Sequence, residues 1–534
     1  MIGNRKEYDV IVIGGGPNGL ICSAYLTRAG LKVLLLEARH ETGGGLDTLE
    51  FAGHKYNLHA IYHMMADIMP VYHDFGLKDR GVKYIFPDAQ VAYINKGKKP
   101  LVLYRDIEKT AGFISRTYTA KDGQAYTTFM NDAREFFDKI LLPYTYVPPA
   151  GLLDQYTALQ NGKDDAGRRF NEIAEFTPVE ILEHYGFSDP LKAQLLNLFT
   201  MWGLSNYDGI GFLFPLYAYR MTNAALVSGG SHRLSSAMHK VIIQNGGEIL
   251  DAAEVVKVNL KNGRVAGVTL KEGDVIKATA VASTVDPHQN FLKFFAEDEL
   301  PEAVVKSARN WQWEKAVFFG THVSLKDIPV YTDAGDSEDA NRALITFMGI
   351  DDTEAILDHI REIEEGRLPE IPFGHATISS QYDPIMAPKG FHTGRWESLV
   401  PFDCDWDNIA GDYAGTCLDT WKSYAPNLAP IHVRPYPPTY IEKKFKNMVK
   451  GSIKQGSYNV LQMGISRPND QCSQVFTPIE GFYTCGASTY PGGLVIGGPG
   501  YIGANVIADD FDLKKDWEEP PSVRQARENG FIPE

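Results

Sequence analysis

Six residues near the N-terminus, Gly14-Gly15-Gly16-Pro17-Asn18-Gly19, carry glycines at the spacing G-x-G-x-x-G. The spacing has chemical content only in context, and the context is present. An apolar run precedes it, a helical pattern follows, and Glu37 closes the next apolar run. Gly14 allows a tight turn, Gly16 lets a pyrophosphate approach the backbone, and Gly19 lets the helix pack close on its strand. Pro17 and Asn18 lead into the helix, whose N-terminal amides and partial positive charge suit phosphate oxygens. Glu37 is expected to accept hydrogen bonds from a ribose. These residues predict a dinucleotide site. A second run, Gly498-Pro499-Gly500-Tyr501-Ile502-Gly503, has the same spacing, but polar residues and Pro520-Pro521 follow its helix instead of an apolar strand. No second βαβ unit can form there, so no second dinucleotide is expected. The histidines lack ligand spacing such as H-E-x-x-H, and the five cysteines form no C-x-x-C pair. No metal is predicted.

The elements that must position these residues begin with a strand over 9–13, a helix over 19–29 and a strand over 32–37. The run Val33-Leu34-Leu35-Leu36 is apolar without alternation, as expected for a parallel strand buried on both faces. Residues 91–94 and 101–104 predict an antiparallel hairpin, and 106–219 a mostly helical stretch rich in Phe, Tyr and Leu. Gly229-Gly230 open another helix. A hairpin over 255–270, a strand over 278–282, and a strand at 482–486 with a helix over 503–510 complete the pattern. The fold class is α/β: a discontinuous Rossmann-type cofactor domain from residues 1–85, 221–310 and 470–515, with a second, mixed α+β substrate domain from 86–220 and 311–469. Residues 516–534 are polar and read as a surface tail.

A chain of 534 residues is too long for one core, so two domains fit its length. Hydrophobic residues at 44% and charged residues at 22% exclude a disordered, collagen-like or coiled-coil chain. The net charge of −15 argues against nucleic acid as a partner. Scattered cysteines, odd in number, suit a reducing compartment. No leader and no membrane-spanning run is read, so the expected location is cytoplasmic, with peripheral membrane contact and homo-oligomerisation left open.

The stretch Glu37-Ala38-Arg39-His40-Glu41-Thr42-Gly43-Gly44, continued by Gly45, resembles the run after the second strand in flavoproteins of the amine oxidase and phytoene desaturase superfamily. Gly229-Gly230-Ser231-His232-Arg233-Leu234, Ala253-Glu254-Val255 and the segment 281–287 resemble further motifs of that superfamily, in the same order. So does the segment 483–493, with Gly486 and Gly493. Ala387-Pro388-Lys389-Gly390 and Arg467-Pro468 resemble its phytoene dehydrogenase-like branch, which includes the pyridine nucleotide-disulfide oxidoreductase-like proteins. The resemblance implies non-covalent FAD, approached by Ala38, Arg39, Gly43, Gly44 and Gly45, with the Val255 backbone at the adenine. It also implies that the helix carrying Gly500 and Ile502 faces the flavin pyrimidine.

Three positions depart from the family pattern. His59 replaces a glycine near the expected isoalloxazine, where it is a candidate proton donor or acceptor. Arg233 replaces a small residue one turn into its helix and would suit an anionic substrate group. Tyr490 stands where the family has histidine and is a candidate to polarise a carbonyl or pass a proton. These three are the predicted catalytic residues. The resemblance implies an oxidoreductase acting on C–C or C=C bonds of a largely apolar or amphipathic small molecule. Two alternatives stay open: a non-redox isomerase or hydratase that uses reduced FAD, and a non-catalytic flavoprotein scaffold.

Overall fold

The computed structural model describes residues 7–65, 67–204 and 210–533. Its first sheet has the order Val255–Lys261, Arg264–Leu270, Val275–Ser283, Tyr8–Ile13, Val33–Leu36, Glu248–Leu250. Tyr8–Ile13 runs parallel to both neighbours, and Phe482–Thr484 adds a further parallel partner to the far end of Val275–Ser283. The four residues Val33–Leu36 are all buried, as a parallel strand covered on both faces requires. The Pro17–Arg28 helix crosses from the first strand to the second and starts with proline at its first position, where the missing N–H costs nothing.

The second sheet has the order Pro430–Tyr436, Ala316–Leu325, His392–Pro401, Gly374–Thr377, Ile345–Met348, Ala89–Ile94, Leu101–Tyr104. The hairpin read at 91–104 is its edge. Register within this sheet builds a polar layer: Glu397 lies opposite Gly320 on one side and His375 on the other, while Arg395 lies opposite His322 and Thr377. Residues two apart on a strand share a face, so Arg395 and Glu397 project to the same side.

The described residues between 107 and 221 are mostly helical, with starts fixed by side-chain caps at Asp106 and Thr119 and by a Thr177/Glu180 capping box. One core joins these helices to Val10 and Val12 of the first sheet and to the Gly498–Asp510 helix. The C-terminal residues correct the expectation of a surface tail. Pro521–Glu528 is a helix, Val523 and Phe531 are fully buried in that core, and the Tyr144 hydroxyl donates to the Phe531 carbonyl. Apolar residues at 517, 523, 526 and 531 supply the buried face, which the polar average of the segment conceals.

Candidate functional site

The first strand ends at Gly14, whose φ of +97° belongs to the left-handed region that glycine enters freely. A Cβ on Gly19 would lie 1.9 Å from the Gly14 carbonyl oxygen, so helix and turn touch there. A Cβ on Gly16 would meet nothing within 4 Å, because Gly16 faces an open cavity. Glu37 sits beside this turn and is nearly buried. Its Oε2 accepts from the Gly15 N–H at 2.8 Å and its Oε1 from the Arg39 N–H at 2.8 Å. Burial raises its pKa, and the backbone donors and Arg39 pull against that rise. The second glycine run is tied to the first, since the Gly43 N–H donates to the Gly15 carbonyl at 2.7 Å.

The cavity above this turn has a volume of about 340 Å³, within the range of small-molecule and cofactor sites. It is lined by Gly14, Gly16, Glu37 and Val255, with Pro17, Asn18, Ala38 and Arg39. Gly44, Gly45, Gly493 and the segment 494–496 follow. Leu494 and Val495 both have positive φ, 72° and 57°, an uncommon conformation for such side chains and one that clusters at functional sites. Tyr62, Trp202 and Phe318 line it too, as does Glu397. The Trp202 ring centroid lies 6.2 Å from that of Tyr62 and 6.4 Å from that of Phe318. Trp202 comes from the aromatic stretch 199–219, of which residues 205–209 lie outside the described residues. An open glycine cradle and helix N-terminal amides that can donate to phosphates, with a carboxylate at a strand end that can accept from a ribose, are the groups a dinucleotide needs, and the residues fit FAD.

Several predicted contacts do not line this cavity. Gly19, Gly43 and Gly486 serve packing: a Cβ on Gly486 would lie 2.3 Å from the Thr284 carbonyl oxygen. Gly500 and Ile502 are buried inside the Gly498–Asp510 helix, and a Cβ on Gly500 would strike the Asn18 carbonyl oxygen at 2.4 Å. The glycine run at 498–503 is thus a close crossing of two helices.

Of the three catalytic candidates, only His59 lines the cavity. Its Nε2 is 3.4 Å from the Tyr436 hydroxyl, and its ring meets Phe445 edge-on at 4.9 Å. Phe445 in turn carries the Arg39 guanidinium over its face at 4.5 Å. Burial, then the positive charges of Arg395, Lys444 and Arg39, hold His59 well below the usual imidazole pKa, so it is neutral at pH 7. Arg233 is corrected: it is exposed, does not line the cavity, and lies against Gly229, where a Cβ would be 3.1 Å from its Nε. Tyr490 is corrected as well. It does not line the cavity, its hydroxyl donates to the Tyr144 carbonyl at 2.7 Å, and burial pushes its pKa up.

Sequence reasoning missed a buried polar layer on the second sheet. Arg395 donates to the Leu58 carbonyl, to the Asn57 carbonyl at 3.1 Å and to Glu397 Oε1. The other oxygen, Oε2, is 3.2 Å from His375 Nε2. A Cβ on Gly320 would lie 2.8 Å from the Arg395 guanidinium, so glycine leaves room for it. Burial works to raise the Glu397 pKa, but Arg395 and His375 outweigh it and hold the carboxyl below its usual value. The only signal in the sequence was two charges spaced by two in His392–Pro401, which reads equally as a solvent face. Among the described residues no cluster of metal-ligating side chains occurs, and no helix is long and apolar enough to cross a membrane.

The family described as flavin containing amine oxidoreductase matches residues 18–320. The chain is 38% identical over 548 residues to a subunit of the limonene dehydrogenase of Castellaniella defragrans, covering 99% of each chain. It is 27% identical over 557 residues to pyridine nucleotide-disulfide oxidoreductase domain-containing protein 2 of Rattus norvegicus, covering 95% of this chain and 94% of that protein. Among solved structures, an oxidoreductase from Methanosarcina mazei superimposes with a TM-score of 0.62 at 15% identity, covering 94% of this chain and 100% of that one. Putrescine oxidase bound to putrescine gives a TM-score of 0.60 at 14% identity, covering 95% and 99%. At these identities the likeness is one of fold.

Proposed function

Because the chain belongs to the flavin-containing amine oxidoreductases and is an FAD-dependent oxidoreductase, we propose that it dehydrogenates a small, largely apolar cyclic hydrocarbon among the aromatic rings of its cavity. The observation that carries this reading is a single cavity whose lining includes both the glycine cradle and the aromatic rings of Tyr62, Trp202 and Phe318. FAD, held non-covalently, supplies the two-electron acceptor. The Gly16 backbone and the first helical turn hold its pyrophosphate, Glu37 accepts from its ribose, and Val255 lies at the adenine. The aromatic walls orient the substrate and exclude water, and the neutral His59 ring stays on the cavity wall near Phe445. The first sheet with its helices serves as the cofactor domain, and the second sheet supplies the substrate wall.

With Arg233 outside the cavity, its guanidinium does not call for an anionic substrate group there. A neutral hydrocarbon therefore suits the site, and the similarity to a protein named as a limonene dehydrogenase subunit supports a monocyclic terpene of that size. The test is incubation of the yellow holoprotein with limonene and an artificial two-electron acceptor, with products read by mass spectrometry. An oxidised terpene, formed only with both present, is expected. Unchanged limonene alongside turnover of a simple cyclic amine would overturn the reading.

A further inference from the structure

Glu397 is a carboxylate that lines the cavity near Tyr62, and cofactor binding and substrate orientation give it no task. It lines the cavity beside Tyr62, Trp202 and Phe318, while its partner Arg395 does not line it and is turned to the carbonyls of Asn57 and Leu58. A ligand between those rings therefore meets the anion before the cation. Such a buried pair is a poor stabiliser, because desolvation offsets most of its attraction and well-packed apolar residues often do as well. Its presence on the wall of an otherwise aromatic space is better explained by chemistry. Arg395 on one oxygen and His375 on the other keep the group ionised and fixed, with lone pairs left to accept. His59, which also lines the cavity, is set among Phe445, Tyr436 and Arg39, close to Gly45.

We propose that Glu397 is the catalytic base of this site, facing the positive charge that develops on the substrate and taking up its proton. The inference rests on the dehydrogenation proposed above. One carbon loses hydrogen as hydride to the flavin that the family supplies. The C–H bond of the neighbouring carbon breaks, its electron pair becomes the new π bond, and its proton goes to a Glu397 oxygen to give the carboxylic acid. Aromatic faces around the same space favour the partial positive charge at the intermediate stage.

The first test needs no variant. The holoprotein is titrated with cyclohexyltrimethylammonium ion and with tert-butylcyclohexane, its uncharged carbon analogue, and binding is followed by the change in the flavin absorption spectrum. The ammonium ion is expected to bind at least about tenfold more tightly, in keeping with a shielded ion contact. Glu397→Gln, checked for folding by circular dichroism and retained yellow colour, should lose that preference while still binding the carbon analogue. With limonene, Glu397→Gln should slow the first turnover by about 100–10,000-fold, the usual range for loss of a general base. No preference in the wild-type protein, a preference that survives in Glu397→Gln, or a first turnover within threefold of wild type would each overturn the inference. If limonene is untouched but the ammonium preference depends on Glu397, the dehydrogenation reading fails and the charge assignment stands. If limonene is oxidised equally by both proteins, the dehydrogenation stands and the base assignment fails.

Discussion

Gly16 and Gly19 stand three residues apart in one turn and answer to different demands. Gly16 borders open cavity, so Gly16→Val should fold normally but purify without yellow colour, because the side chain occupies the space of the pyrophosphate. Gly19 touches the Gly14 carbonyl, so Gly19→Val should fail to give soluble, folded protein. A yellow Gly16→Val protein, or a folded Gly19→Val protein, would contradict these assignments; absorbance at the flavin bands and circular dichroism decide. Arg233→Ala should leave kcat/KM within about twofold, since exposed substitutions away from a site have small effects. At this scale the glycine turn was legible because G-x-G-x-x-G specifies backbone geometry directly. Arg233 and Tyr490 were not, because a family resemblance locates a residue along the chain without giving the direction of its side chain. Glu397 was hidden for a related reason. Alternating charges in a strand define one polar face, but only the packed fold shows whether that face meets water or a cavity.

Among the elements, the parallel strands and the first helix followed from unbroken apolar runs and the turn between them. The order of the second sheet could not be read, because Ala89–Ile94 pairs with Ile345–Met348 across some 250 residues and no local pattern encodes that pairing. The C-terminal helix was misread for want of a continuous apolar run. Its anchor, Phe531, lies on Gly162, where a Cβ would sit 2.2 Å from the ring. Phe531→Ala should destabilise the protein by about 3–5 kcal/mol, as removal of a fully buried ring does. Chemical denaturation monitored by circular dichroism measures this, and a change below about 1 kcal/mol, typical of a surface site, would show that the tail does not anchor the fold.

Across the molecule, burial holds several histidines below the ordinary imidazole pKa. Burial lowers His63 and His359 to about 4, and it lowers His59 and His322 well below 6.5. The unfolded chain then binds protons that the folded chain refuses, so stability from these groups is lost as pH falls from about 6.5 towards 4. Buried carboxyls such as Glu37 and Asp286, whose pKa is raised by burial, act in the opposite sense, so one substitution isolates the effect. His359→Leu should gain stability relative to wild type on going from pH 7 to pH 5, by an amount on the order of 1–2 kcal/mol. Paired thermal melts at the two pH values test it, and a pH-independent difference would refute it. In the proposed function one cavity joins a bound flavin to an apolar substrate. Anaerobic titration of the holoprotein with limonene puts this to the test, with the oxidised flavin absorbance as the readout. Stoichiometric bleaching, reversed by an added electron acceptor, is the predicted result. A spectrum left unchanged by limonene and other cyclic alkenes, but bleached by cyclic amines, would contradict it.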